Sequence, residues 1–146
     1  MSSQILKEMT FEELLDLNGY IVYTTKGKSM QPLIRANRDL VEIRKKPEGR
    51  CKKNQIILYK RHHQYILHRV LKNDRDKYIV AGDNNTFIET DITDDMIIGV
   101  VYHIVRNGKT INMDSILYHI YLLFWCDLYP LRVIFLKCKE KIHFHF

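Results

Sequence analysis

Between Tyr20 and Arg106 the chain is written in short runs rich in Ile, Val and Tyr, each closed by polar or turn residues: YIVYTT, DLVEIRK, QIILYKR, QYILHRVL, KYIVAG and MIIGVVYHIVR. β-branched and aromatic side chains suit a pleated, half-buried surface, so each run reads as a strand. RNGKT at 106–110 sets Asn-Gly between β-like flanks, a strong short-range hairpin signal. Residues 20–113 are therefore expected to be mostly β-sheet.

The flanks follow other periods. Residues 4–18 place Ile5, Leu6, Met9, Leu14, Leu15 and Leu17 at mixed three-and-four spacing, which predicts an amphipathic helix stopped by Asn-Gly at 18–19. The tail, 114–146, is apolar for long runs interrupted by His119, Asp127, Pro130 and Arg132. A spanning helix needs ~20 predominantly apolar residues, and Asp127 and Arg132 fall near the centre of this one. Two helices meeting at DLYP, packed on the sheet or lying in a membrane interface, fit better. The expected organisation is an N-terminal amphipathic helix (1–19), a β-rich domain (20–113) and a C-terminal apolar helical segment (114–146).

Hydrophobic content of 46% and charged content of 27% exclude a disordered chain. The formal charge of +6 makes an anionic membrane surface, nucleic acid or an acidic peptide plausible as a partner. The basic residues are scattered, with no aromatic-interleaved stripe, so nucleic acid is disfavoured. Cys51, Cys126 and Cys138 are an odd count without C-x-x-C, which suits a reducing compartment. The charged N-terminus has no secretory h-region. His62 and His63, if on a strand, face opposite ways, and the HFHF tail puts His143 and His145 on one strand face. No His/Cys cluster has zinc-like spacing, so neither metal nor cofactor is expected.

Four local features carry possible chemistry, in order: GKSMQP (27–32), RDLVEI (38–43), ILHRV (66–70) and AGDNN (81–85). Each alone has a bland reading. A serine in a Gly-flanked turn is usually structural, a strand histidine is usually a satisfied core residue, and Gly-Asp-Asn suits a tight turn. The chemical reading needs them together. A serine hydroxyl is a poor nucleophile until a base takes its proton. An imidazole, with an unperturbed pKa near ~6.5, suits that work. A carboxylate on its other nitrogen would fix the tautomer and stabilise the imidazolium. Gly27 would let a substrate backbone approach without a Cβ in the way, and the backbone N–H of Ser29 or its neighbour is a candidate oxyanion donor. Arg69, next to His68, points to the other strand face and reads as structural or partner-facing.

The order of the four boxes resembles the type I signal peptidase superfamily, closest to its endoplasmic-reticulum and sporulation-type branch, over about residues 20–105. The resemblance implies a signal-peptidase-like or SOS-repressor-peptidase-like β-barrel-type sheet. It puts Ser29 at the nucleophile position, with Met30 and Pro32 matching the rest of that box. His68 stands where this branch has its general base and other branches a lysine. Asp83 matches the acid of the G-D-N-N box. The branch's second aspartate has no clear counterpart, since position 89 is glutamate and Asp91 follows, so Glu89 and Asp91 are alternatives for the third member. Gly27 and Met30 are the candidate substrate and oxyanion positions.

The expected function is a serine endopeptidase that removes a signal or leader peptide from a precursor through a Ser29–His68 acyl-enzyme. The resemblance also implies an extended substrate added to a sheet edge, with small side chains beside the cut. Family members that process secreted precursors carry a membrane anchor before the serine box, where this chain has a charged amphipathic segment. The expectation is then a cytoplasmic or membrane-associated enzyme, any membrane association running through the C-terminal segment. Two alternatives stand beside it: a non-catalytic peptide-binding module of the same fold, and a basic membrane-surface adaptor.

Overall fold

A computed structural model describes residues 8–143. It has eight strands in one antiparallel sheet, a helix before them and helices after them. The first helix, α1 (Phe11–Asn18), starts later than its apolar pattern suggests. Thr10 caps it: its side chain accepts from the Glu13 N–H at 3.2 Å, and Glu13 accepts from the Thr10 N–H at 2.9 Å. This reciprocal capping box was present in the sequence as Thr-x-x-Glu. Ile5 and Leu6, part of the expected helical pattern, lie outside the described residues. Gly19 ends the helix with φ of 78°, a conformation that costs glycine little.

The strands are β1 (Tyr20–Thr24), β2 (Asp39–Lys45), β3 (Ile56–Arg61), β4 (Gln64–Asp74), β5 (Lys77–Ala81), β6 (Glu89–Thr93), β7 (Ile97–Arg106) and β8 (Lys109–Thr110). Their order is β1-β2-β7-β3-β4-β5-β6, with β8 paired to β7. The run ETDIT forms β6, which the sequence reading did not separate from the loop after AGDNN. His62 and His63 are not on a strand. They form the two-residue turn between β3 and β4, both at positive φ, as a turn that matches strand twist demands.

Strand β3 is buried on both faces, which is why it reads as the continuous run IILY. Ile56 and Leu58 join one core with Leu15, Met30, Val41 and Ile104. Ile57 and Tyr59 join another with Val70, Tyr78, Val80 and Ile92. A central strand covered on both sides loses the alternation that marks a half-exposed one.

The tail forms α2 (Ile116–Tyr121), a π-helical stretch over Leu122–Asp127, and α3 (Tyr129–His143). The two arms meet at 75°, at the DLYP break. Ser115 caps α2 by accepting from the Tyr118 N–H. Among the described residues, no single helix is long and apolar enough to cross a membrane. His143 is helical, not on a strand, and His145 lies outside the described residues.

Candidate active site

Ser29 lies in the loop joining β1 to β2. Two anchors hold that loop. On the core side, Met30 and Ile34 are buried and tied by an Ile34 N–H to Met30 C=O bond of 2.9 Å. At the far end, buried Asp39 accepts from the Arg35 N–H at 2.9 Å and from Arg38 and Arg106 Nε at 3.0 and 2.8 Å. The two guanidiniums also donate to the Leu33 carbonyl. Together these hydrogen bonds keep the Asp39 carboxyl well below the usual carboxylate range, against the effect of burial. The RDLVEI box thus contributes a fastener for the serine loop.

His68 sits within β4, buried, opposite Ile57 of β3. Asn85 Nδ2 faces its Nε2 at 3.3 Å. An amide nitrogen can only donate, so Nε2 accepts and Nδ1 carries the proton. Nδ1 lies 3.0 Å from the Tyr59 hydroxyl, which in turn donates to Glu89 Oε1 at 2.8 Å. Glu89 Oε1 is also 3.3 Å from Nδ1, and Arg61 Nη1 holds Oε2 at 2.6 Å. The imidazole is therefore neutral, in one tautomer, at the head of a chain running His68–Tyr59–Glu89–Arg61. Burial holds its pKa below the ordinary value, while the charges of Glu89 and Asp83 pull the other way.

Asp83, expected on His68, is elsewhere. Its oxygens accept from Arg69 Nε and Nη2, each at 2.8 Å, and from the Tyr121 hydroxyl at 2.7 Å. Arg69 and Asp83 are both almost completely buried, and Arg69 also donates to the Asn54 carbonyl and the Tyr118 hydroxyl. Consecutive strand residues face opposite ways. His68 therefore reaches Tyr59 and Glu89, and Arg69 reaches Asp83 and the C-terminal helices. Asp91 is on the surface with Lys77. Of the three candidate acids, the structure brings only Glu89 to the histidine, largely through a tyrosine. Arg69 is internal and structural, not partner-facing.

The Gly82–Asn85 turn joins the two halves of the site. The Asn84 N–H donates to the Ser29 carbonyl at 2.8 Å, while Asn85 touches His68. A Cβ on Gly82 would stand 2.5 Å from the Ser29 oxygen and 2.8 Å from Asn85 Nδ2, so only glycine lets these strands of chain close up. Among the described residues, neither the Ser29 hydroxyl nor its N–H makes a hydrogen bond, and no hydrogen bond joins Ser29 to His68.

Ser29 also lines a groove of about 1010 Å³ between Tyr23–Gly27 on one side and Gln64–Leu67 on the other. Among the described residues, β1 and the first half of β4 each have one edge without a strand partner. β1 ends the sheet order, and β5 pairs with β4 only from Arg69 onward. Gly27 lines the rim at φ of 81° with nothing near its Cβ position, and Met30 forms part of the floor as a core side chain.

No protein-family model matches this chain, and no curated protein matches it either. Tyr59, Asn85, Arg61 and the Arg69 network were not singled out as site residues from the sequence. For Asn85 the G-D-N-N box was a usable signal. Tyr59 carried none beyond its place in an apolar run.

Proposed function

We propose that this protein is a serine endopeptidase of signal-peptidase type that cuts an extended segment from a precursor polypeptide. The observation that carries the reading is the Gly82–Asn85 turn, which binds the Ser29 carbonyl on one side and the His68 imidazole on the other. Ser29 would attack the scissile carbonyl while His68 Nε2 takes its proton, forming an acyl-enzyme and an oxyanion. The unengaged Ser29 N–H is a candidate donor to that oxyanion. His68 would then protonate the leaving amine and later activate the water that releases the acyl group. Tyr59 and Glu89 would take up the imidazolium charge on the Nδ1 side. The substrate would lie in the groove, bonding to the free edges of β1 and β4 as an added strand. For the step to begin, Asn85 must release Nε2. Catalytic hydrogen bonds of this kind often form only when substrate is bound.

A second reading is favoured by the missing Ser29–His68 bond: a peptide-capture module of the same fold that does no chemistry. Labelling with a serine-reactive phosphonylating probe between about pH 5 and about pH 9 separates the two, because only an activated serine reacts. The peptidase reading expects labelling that rises with pH through a midpoint below the ordinary imidazole value. It expects labelling to fall by about 10³-fold or more in Ser29→Ala and His68→Ala. Folded wild type that binds peptide in the groove but neither labels nor cleaves it would leave the capture module standing.

A further inference from the structure

The C-terminal elbow has two faces with different fates. Its inner face is occupied: Tyr118, Leu122, Cys126, Arg132 and Leu136 are buried. Trp125 Nε1 donates to the Asp83 carbonyl at 2.7 Å, and Arg132 Nη2 reaches the carbonyls of Gly82 and Asn85 at 3.4 Å. Its outer face is apolar and bare. Leu117, Ile120 and Phe124 follow one stripe of the first arm, with Phe124 65% exposed. Leu131, Phe135 and Ile142 follow a stripe of α3. Helical spacing explains each stripe, but the stripes face away from the core that would normally explain such a pattern.

The charge around these stripes selects an occupant. Lys137, Lys139 and Lys141 are exposed along the second half of α3, with Glu140 the single acid between Lys137 and His143. The basic groove beside α2 lies on the inner side, lined by Tyr118 and Leu122, and its Arg44, Lys45 and Lys53 pair with Glu42, Asp16 and Asp127, so the charge beside the outer stripes is that of the α3 lysines. An apolar stripe flanked by lysines is the pattern of a helix lying in a bilayer interface, with cations at the phosphates. A second copy would bring the same basic flanks, on a chain of charge +6, against each other. Spanning does not fit either. The arms bend by 75°, and the inner face is committed to the Gly82–Asn85 turn and the buried Arg132.

We propose that the elbow of α2 and α3 is a docking surface for an anionic lipid bilayer, lying in its interface on the outer apolar stripes. The proposal does not depend on the peptidase reading. Because the inner face of the same elbow grips the turn that holds Ser29 and His68, docking fixes the height of that site above the lipid.

The test uses the full chain and sedimentation with large vesicles, either phosphatidylcholine alone or phosphatidylcholine mixed with phosphatidylglycerol. The chain should pellet with the anionic vesicles, and less so at high salt. Phe124→Glu and Phe135→Glu should each weaken binding by about tenfold or more, because each puts a charge where apolar surface must enter the interface. A Lys137→Gln, Lys139→Gln, Lys141→Gln variant should bind anionic vesicles more weakly and lose salt dependence. Phe124 and the three lysines are exposed, so circular dichroism and thermal midpoint of those variants should match wild type, while Phe135→Glu, which also removes a ring edge from Trp125, is read only if it stays folded. Failure of the folded wild type to bind anionic vesicles would overturn the proposal. So would equal binding by the glutamate variants, or a stable solution dimer that those variants dissolve.

Discussion

Replacing Tyr59 by phenylalanine removes one oxygen and two hydrogen bonds, and little else. The His68 Nδ1–H loses its acceptor at 3.0 Å, and Glu89 loses a donor at 2.8 Å. Both groups lie in or beside the core, where an unmet polar atom costs about 1–3 kcal/mol, so urea unfolding should show a loss of that order. Chemistry should change as well. Without the bridging hydroxyl, the Glu89 oxygen at 3.3 Å is the nearest partner for Nδ1. A carboxylate acting directly on the ring favours the imidazolium, so the pH midpoint of Ser29 labelling should move up. Loss of a fixed ring position should slow labelling above that midpoint by roughly 10- to 100-fold. An unchanged midpoint and rate in folded Tyr59→Phe protein would remove Tyr59 from any positioning role. The phenol itself stays protonated at working pH, since burial and the Glu89 charge raise its pKa far above the ordinary value.

At the scale of elements, the Arg69–Asp83 ion pair joins β4 to the Gly82–Asn85 turn, and Tyr118 and Tyr121 of the C-terminal helices bond to its two members. Asp83→Asn leaves the Arg69 guanidinium buried with no counter-charge, and weakens the contact with Tyr121. Breaking a buried pair from one side costs about 3–5 kcal/mol, so the urea midpoint should drop sharply. Replacing both partners, Arg69→Met with Asp83→Leu, should recover much of that loss. If Asp83→Asn instead kept full stability and lost only labelling, Asp83 would be acting on His68 and not on Arg69. The sequence could not settle this choice. Six strands were legible because Ile, Val and Tyr runs punctuated by turns have few other solutions, and RNGKT marked its hairpin openly, whereas β6, ETDIT, carries one Ile among polar residues and did not announce itself. The order of the boxes singled out Ser29, His68 and the G-D-N-N turn, and the turn touches both the Ser29 carbonyl and the His68 ring. Which acid met which base was not legible, because it depends on strand alternation and on helices that arrive from the far end of the chain. One residue of phase in β4 sends Arg69 to Asp83 and His68 to Glu89. His62 and His63 were misplaced for a related reason: a two-residue turn at positive φ usually announces itself with Asn or Gly, and here it is built from two histidines.

For the whole molecule, two buried sites tie folding to pH in the same direction. Burial depresses the His68 pKa, so in the unfolded chain the ring binds a proton at a higher pH than in the folded one. The Arg38 and Arg106 bonds depress the Asp39 pKa, so the folded carboxylate likewise resists a proton that the unfolded chain accepts. In each case the unfolded state binds more protons in the window between the two pKa values, and stability must fall as pH falls through it. The histidine window opens first, at about 6.5, and extends down to the depressed folded value. The carboxylate window opens near ~3.9. Urea midpoints of wild type should therefore decline on acidification below about pH 6.5, before any carboxylate of ordinary pKa titrates. In His68→Gln the early decline should shrink, while the loss below about pH 4 remains, since Asp39 is untouched. A wild-type profile that is flat from about pH 7 to about pH 5 would mean that His68 is as free to protonate in the folded chain as in the unfolded one. The sealed neutral imidazole needed for general-base work would then be lost with it. The same titration thus tests a stability argument and the protonation state on which the chemistry rests.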